Sequence, residues 1–232
     1  MTHAKIAINT VAACAHSERA KGQFGLVFVA ALLLGGCSAL PDKPVRAAMY
    51  DFGPGPLSTQ PTMRQAPLPA LALADISTHG GALDNQAVLY RLAYANAQQL
   101  RPYSQGRWSM PPAQLVRQRL RETLSHSRPV LIAGEGPALN RGANHGALPR
   151  VLQLELEEFS QLFESPDSSV GLLRLRATLV ESTSSGEKLL AQRNIAVQRP
   201  APSADVAGGV SALTAATDAA IEEIAQWLQQ VP

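Results

Sequence analysis

The sequence predicts an α+β fold in a single domain, with an antiparallel β-sheet packed by two main α-helices. Three observations predict it. Residues 150–163 (RVLQLELEEFSQLF) and 170–180 (VGLLRLRATLV) alternate leucine with polar or charged residues, the period of a strand with one dry and one wet face. Residues 111–127 (PPAQLVRQRLRETLSHS) and 210–228 carry apolar residues at helical spacing. The strand runs are separated by single helices, and one sheet face is wet, which argues against repeated βαβ units. A chain of 232 residues is long enough for one well-filled core.

Taken in order, residues 47–52 (AAMYDF) form the first expected strand. Residues 53–67 are too rich in proline and glycine for a helix or a central strand, so they read as a loop. Residues 68–76 (LPALALADI) alternate Leu with Ala and read as a strand. Two further strands are expected at 87–94 and 98–104 around a turn centred on Asn96. A helix over 84–99 competes with them, because Ala and Gln are common there.

Pro111 and Pro112 suit the first turn of a helix. In that helix Leu115, Val116, Leu120 and Leu124 share a side, and Arg117, Arg119 and Arg121 are expected on the wetter sides. Pro129 stops it, residues 130–133 form a short strand, and residues 134–149 are a loop by composition. The two leucine strands follow, joined by a turn at 164–169. Paired as a hairpin, they would set Glu155 and Glu157 opposite Arg174 and Arg176, each exposed pair contributing about 0.2–1 kcal/mol. Glu158 breaks the alternation and reads as a bulge or register change. A turn at 183–186 leads to a third strand, 189–198. The last helix buries Leu213, Ala216, Ala220, Ile224, Trp227 and Leu228 and exposes Asp218, Glu222 and Glu223. Ser203 or Asp205 is placed to cap it, whereas Gly208 and Gly209 weaken its first turn.

The N-terminus is a separate matter. Lys5, Arg19 and Lys21 against Glu18 make a positive leader, and residues 24–34 (FGLVFVAALLL) are an uncharged apolar run. That run is too short for a membrane-spanning helix, which needs about 20 residues, and it fits the core of a signal peptide, about 7–15. Leu34-Gly35-Gly36-Cys37 then resembles the lipobox of bacterial lipoproteins. The resemblance implies cleavage between Gly36 and Cys37 and acylation of Cys37 at sulfur and amine. Several acyl chains on one residue give stable anchoring where one chain binds only marginally. A short signal anchor with an incidental cysteine is the competing reading. Ser38, where an Asp would imply retention at the inner membrane, implies sorting to the outer membrane, facing the periplasm. The chain thus divides into a signal peptide (1–36), a lipidated tether (37–46) and a domain (47–232).

Three of the 20 basic and one of the 18 acidic residues precede Cys37, which leaves 17 of each in the mature chain. That balance argues against a nucleic-acid-binding surface. Cys14 and Cys37 are the only cysteines, so everything beyond Cys37 lacks the means for a disulfide scaffold, a thiolate zinc site or a cysteine nucleophile. His79, His126 and His145 show no metal-binding spacing, and structural roles outweigh catalytic ones. His126 closes a helix, where its positive form suits the dipole. Gly134-Glu135-Gly136 lacks the remainder of a phosphate loop, and no serine sits in a GxSxG elbow. Glu155, Glu157 and Glu158 are explained by strand alternation and the bulge. Trp108 is expected to fill the corner between a strand and the first helix. No catalytic residue, metal or cofactor is therefore expected.

The lipobox, MYDFG near the mature start, VLYR at 88–91, the RW…PP…L…L segment from Arg107 to Leu124 and the leucine-alternating hairpin occur in the order found in the ABC-type transport auxiliary lipoproteins, the PqiC/YmbA-like group. The resemblance spans about residues 37–230. Arg107-Trp108-Ser109-Met110-Pro111-Pro112 departs from the acidic WAEP-like form of that group, which removes any polar role of the missing acid. The resemblance implies a small α+β domain and a periplasm-facing, non-catalytic lipoprotein. It implies as partners an ABC transporter permease and ATPase and an MCE-domain protein that together move lipids between the inner and outer membranes. Ring assembly by some members makes a homo-oligomer one of the implied states. A structural or assembly lipoprotein of the outer membrane, of the LPS-export or barrel-assembly accessory type, is the alternative.

Overall fold

The leucine strands build the longest part of a single sheet. A computed structural model describes residues 46–55, 68–133, 148–183 and 185–231, all within the unit Arg46–Pro232. In chain order the elements are β1 (Ala48–Tyr50), β2 (Leu71–Leu73), β3 (Ser77–Thr78), β4 (Ala87–Leu92), a one-turn helix α1 (Ala93–Asn96), β5 (Ala97–Trp108), α2 (Pro112–Ser125), β6 (Val130–Ile132), β7 (Arg150–Ser165), β8 (Ser168–Thr183), β9 (Gly186–Pro200) and α3 (Val206–Gln230).

Strands β7, β8 and β9 form the expected antiparallel meander. On its other edge β7 is too long for any one short strand to cover. Three segments therefore dock along it in succession, all parallel to it: β2 beside Arg150–Leu152, β3 beside Glu155 and Leu156, and β4 beside Gln161–Phe163. Outside β2 lies β6, also parallel; outside β4 lies β5, antiparallel, and then β1, parallel. The α+β class holds, but the sheet is mixed. Its parallel pairs join segments far apart in sequence, which local alternation does not register. The expected strand at 68–76 is shorter, β2 alone, and a further short strand, β3, follows just beyond its expected end. The expected strands at 87–94 and 98–104 do pair antiparallel, with the one-turn helix α1 in place of a tight turn at Asn96.

The core lies between the sheet and the two long helices. Leu152, Leu154 and Leu156 of β7, Leu173, Leu175, Ala177 and Leu179 of β8, and Ile195 and Val197 of β9 meet Leu213, Ala216, Ala220, Ile224, Trp227 and Leu228 of α3. Each such leucine, fully buried, contributes about 1.5–3 kcal/mol. From α2 come Leu115, Val116, Leu120 and Leu124, the side read from the sequence. Trp108 is fully buried at the corner where β5 gives way to α2, 5.6 Å edge-on from Phe52 and 5.6 Å from Phe159 between ring centres.

Arg119 does not follow its expected place on a wet side. It is 5% exposed. Its Nη2 donates to the Phe52 carbonyl at 2.5 Å, and its Nε lies 3.1 Å from Asp218 Oδ1 of α3. The helical repeat places it outside α2, but the chain after β1 and the flank of α3 close over it. Polar capping starts α3: the Gly208 N–H donates to Asp205 Oδ1 at 2.8 Å, and the Ser203 hydroxyl donates to the same oxygen at 2.7 Å. The glycines of that first turn have a packing reason, since a Cβ at Gly209 would collide with the Gln161 side chain.

Candidate functional site

The charged residues singled out in the sequence gather on the sheet face away from α3. Because β7 and β8 alternate, the acids of one strand and the arginines of the other project from that face together. Arg176 Nη1 donates to Glu155 Oε2 at 3.1 Å and its Nη2 to Glu157 Oε1 at 2.7 Å, while Arg174 Nη2 lies 3.6 Å from Glu157 Oε2. This is the pairing expected of the hairpin. The register shifts between Leu156 and Glu158, so a bulge turns Glu157 and Glu158 out on the same side. Glu158 thereby reaches the other edge of β7, where Arg91 of β4 holds both its oxygens, at 3.1 and 3.0 Å. The remaining Arg91 nitrogen donates to the carbonyls of Ala97 and Gln98, and the Ser160 hydroxyl donates to Glu158 Oε1 at 2.6 Å.

His79, just beyond β3, places Nδ1 2.5 Å from Glu155 Oε1 and is 73% exposed. Its neighbour Thr78 bonds to Asp84 instead, so no hydroxyl is held against the imidazole. Every carboxylate in the row is shared with a guanidinium or the imidazole. Chemically the row can stitch β4, β7 and β8 together and present an exposed imidazole; the hydroxyl that meets one of its carboxylates, Ser160 against Glu158, is fully buried. Among the described residues no three His, Cys, Asp or Glu side chains come together in a way that could hold a metal ion.

The other residues singled out do not join this row. His126 caps the end of α2, with Nδ1 3.2 Å from the Thr123 carbonyl. Trp108 belongs to the core. Gly36, Cys37, His145 and the Gly134-Glu135-Gly136 segment lie outside the described residues.

A second feature was not legible in the sequence. A cleft of about 940 Å³ lies between α2 and the strands β2 and β6. Leu73, Ile76, Leu83, Val130 and Ile132 give it an apolar floor; Gln114, Arg117, Gln118 and Arg121 line its helical wall. Arg117 Nη1 is 2.7 Å from Asp75 Oδ1 across the opening. The wall residues follow the i, i+3, i+4, i+7 spacing of one helix face, which the sequence does show. The floor comes from three separate segments, so the cleft itself appears only when they fold together. Among the described residues no helix is long and apolar enough to cross a membrane.

The family model described as "ABC-type transport auxiliary lipoprotein component" matches residues 50–225. No curated protein matches the chain. Among solved structures, protein XCC0632 from Xanthomonas campestris, described as DUF330, superposes with a TM-score of 0.58 at 19% identity, covering 78% of this chain and 94% of its own. An uncharacterized protein superposes with a TM-score of 0.54 at 11% identity, covering 79% of this chain and 99% of its own. At these identities the two structures establish the fold alone.

Proposed function

This chain belongs to the ABC-type transport auxiliary lipoprotein family, and from that premise we propose that it is a non-catalytic auxiliary component of an ABC/MCE-type system moving lipid between the inner and outer membranes. The observation that carries the reading is the family match across residues 50–225, nearly the whole folded unit. It is supported by the charged row, whose acids are tied up in cross-strand pairs.

In this reading residues 1–36 are removed, Cys37 becomes the acylated first residue, and residues 37–46 tether the domain 47–232 to the outer membrane on its periplasmic side. The partners are an MCE-domain protein and the permease and ATPase of an ABC transporter.

Affinity capture of the intact lipoprotein from membranes tests it. Recovery of an ABC permease, its ATPase or an MCE-domain protein is expected, together with a weakened outer-membrane barrier on deletion. Recovery of LPS-export or barrel-assembly proteins in their place overturns it in favour of the assembly role. Mass spectrometry of the mature N-terminus tests the anchor separately, and a first residue other than lipid-modified Cys37 overturns that part. The native mass of the detergent-extracted protein distinguishes a monomer from a homo-oligomer.

A further inference from the structure

We draw no further inference here: the strongest candidate, the cleft between α2 and the strands β2 and β6, has an apolar floor with acidic and basic side chains both on its lining, and nothing in the structure shows what covers it.

Discussion

Gly171 of β8 lies directly beneath the Leu213 amide of α3: a Cβ at position 171 would stand 2.6 Å from the Leu213 nitrogen and 2.6 Å from the Ala212 carbonyl carbon. Both neighbours are helix backbone and have no rotamer with which to move aside. In an open strand, replacing glycine by alanine stabilises, because glycine loses the most chain entropy on folding. Here the contact reverses the sign. Gly171→Ala is expected to cost about 1–3 kcal/mol as α3 is pushed off the sheet, and Gly171→Val more. Urea unfolding reads the difference; a neutral or stabilising Gly171→Ala would mean that α3 does not sit this close.

Asp205 gives α3 its start and a pH dependence. The Gly208 N–H, then the Ser203 hydroxyl, bind its carboxylate and hold its pKa below the ordinary aspartate value. A folded pKa that is depressed contributes stability fully present above the unfolded value, about 3.9, and lost as pH falls through the folded value. Asp205→Ala is expected to cost about 1 kcal/mol at neutral pH, the usual worth of an N-cap. Asp205→Asn keeps a capping oxygen but does not titrate. The stability difference between wild type and Asp205→Asn should therefore shrink as pH is lowered below about 4. Thermal unfolding at several pH values measures it, and a difference that stays flat would show that the cap does not bind the charged form.

That cap, the leucine faces, the Glu–Arg hairpin pairs and the bulge at Glu158 were all legible in the sequence, because each is written in residues that are neighbours on one element or on consecutive strands. What was not legible depends on distant segments. Ser77 bonds to the Leu154 carbonyl across 77 residues of chain, and only such contacts reveal that β2, β3 and β4 lie parallel along β7. The cleft has the same cause, since its floor and wall come from segments that periodicity treats one at a time. Arg119 was misplaced for a related reason: a helical wheel reports what faces away from the helix's own apolar side, not what another element later covers.

Arg119 makes that covering energetic. Removing it leaves the Phe52 carbonyl without its buried donor, a loss of about 1–3 kcal/mol, and empties the space the side chain fills. Asp218 is 47% exposed and is solvated once freed. Arg119→Ala is therefore expected to destabilise by about 2–3 kcal/mol, and Asp218→Asn by less than about 1 kcal/mol. Equilibrium denaturation of the two variants checks the order. Equal effects would mean that the ion pair, rather than the bond to Phe52, fixes the guanidinium.

The charged row predicts a graded series of three arginines. Arg174 is 56% exposed and 3.6 Å from its acid, so Arg174→Ala should lie within about 0.5 kcal/mol of wild type. Arg176, 39% exposed, joins two carboxylates; its loss removes both pairs and leaves two like charges on one face, for about 1 kcal/mol. Arg91, 21% exposed, grips Glu158 with two nitrogens and also satisfies the Ala97 and Gln98 carbonyls, so Arg91→Ala should cost the most, about 2 kcal/mol or more. Salt separates the causes. The Debye length falls from about 10 Å at 0.1 M to about 3 Å at 1 M, so the Arg176→Ala effect should shrink with added salt. The Arg91→Ala effect should persist, because much of it is hydrogen bonding to backbone. Unfolding of all three variants at both salt concentrations decides it, and an Arg91→Ala effect that vanishes at high salt would reduce that residue to one more surface charge.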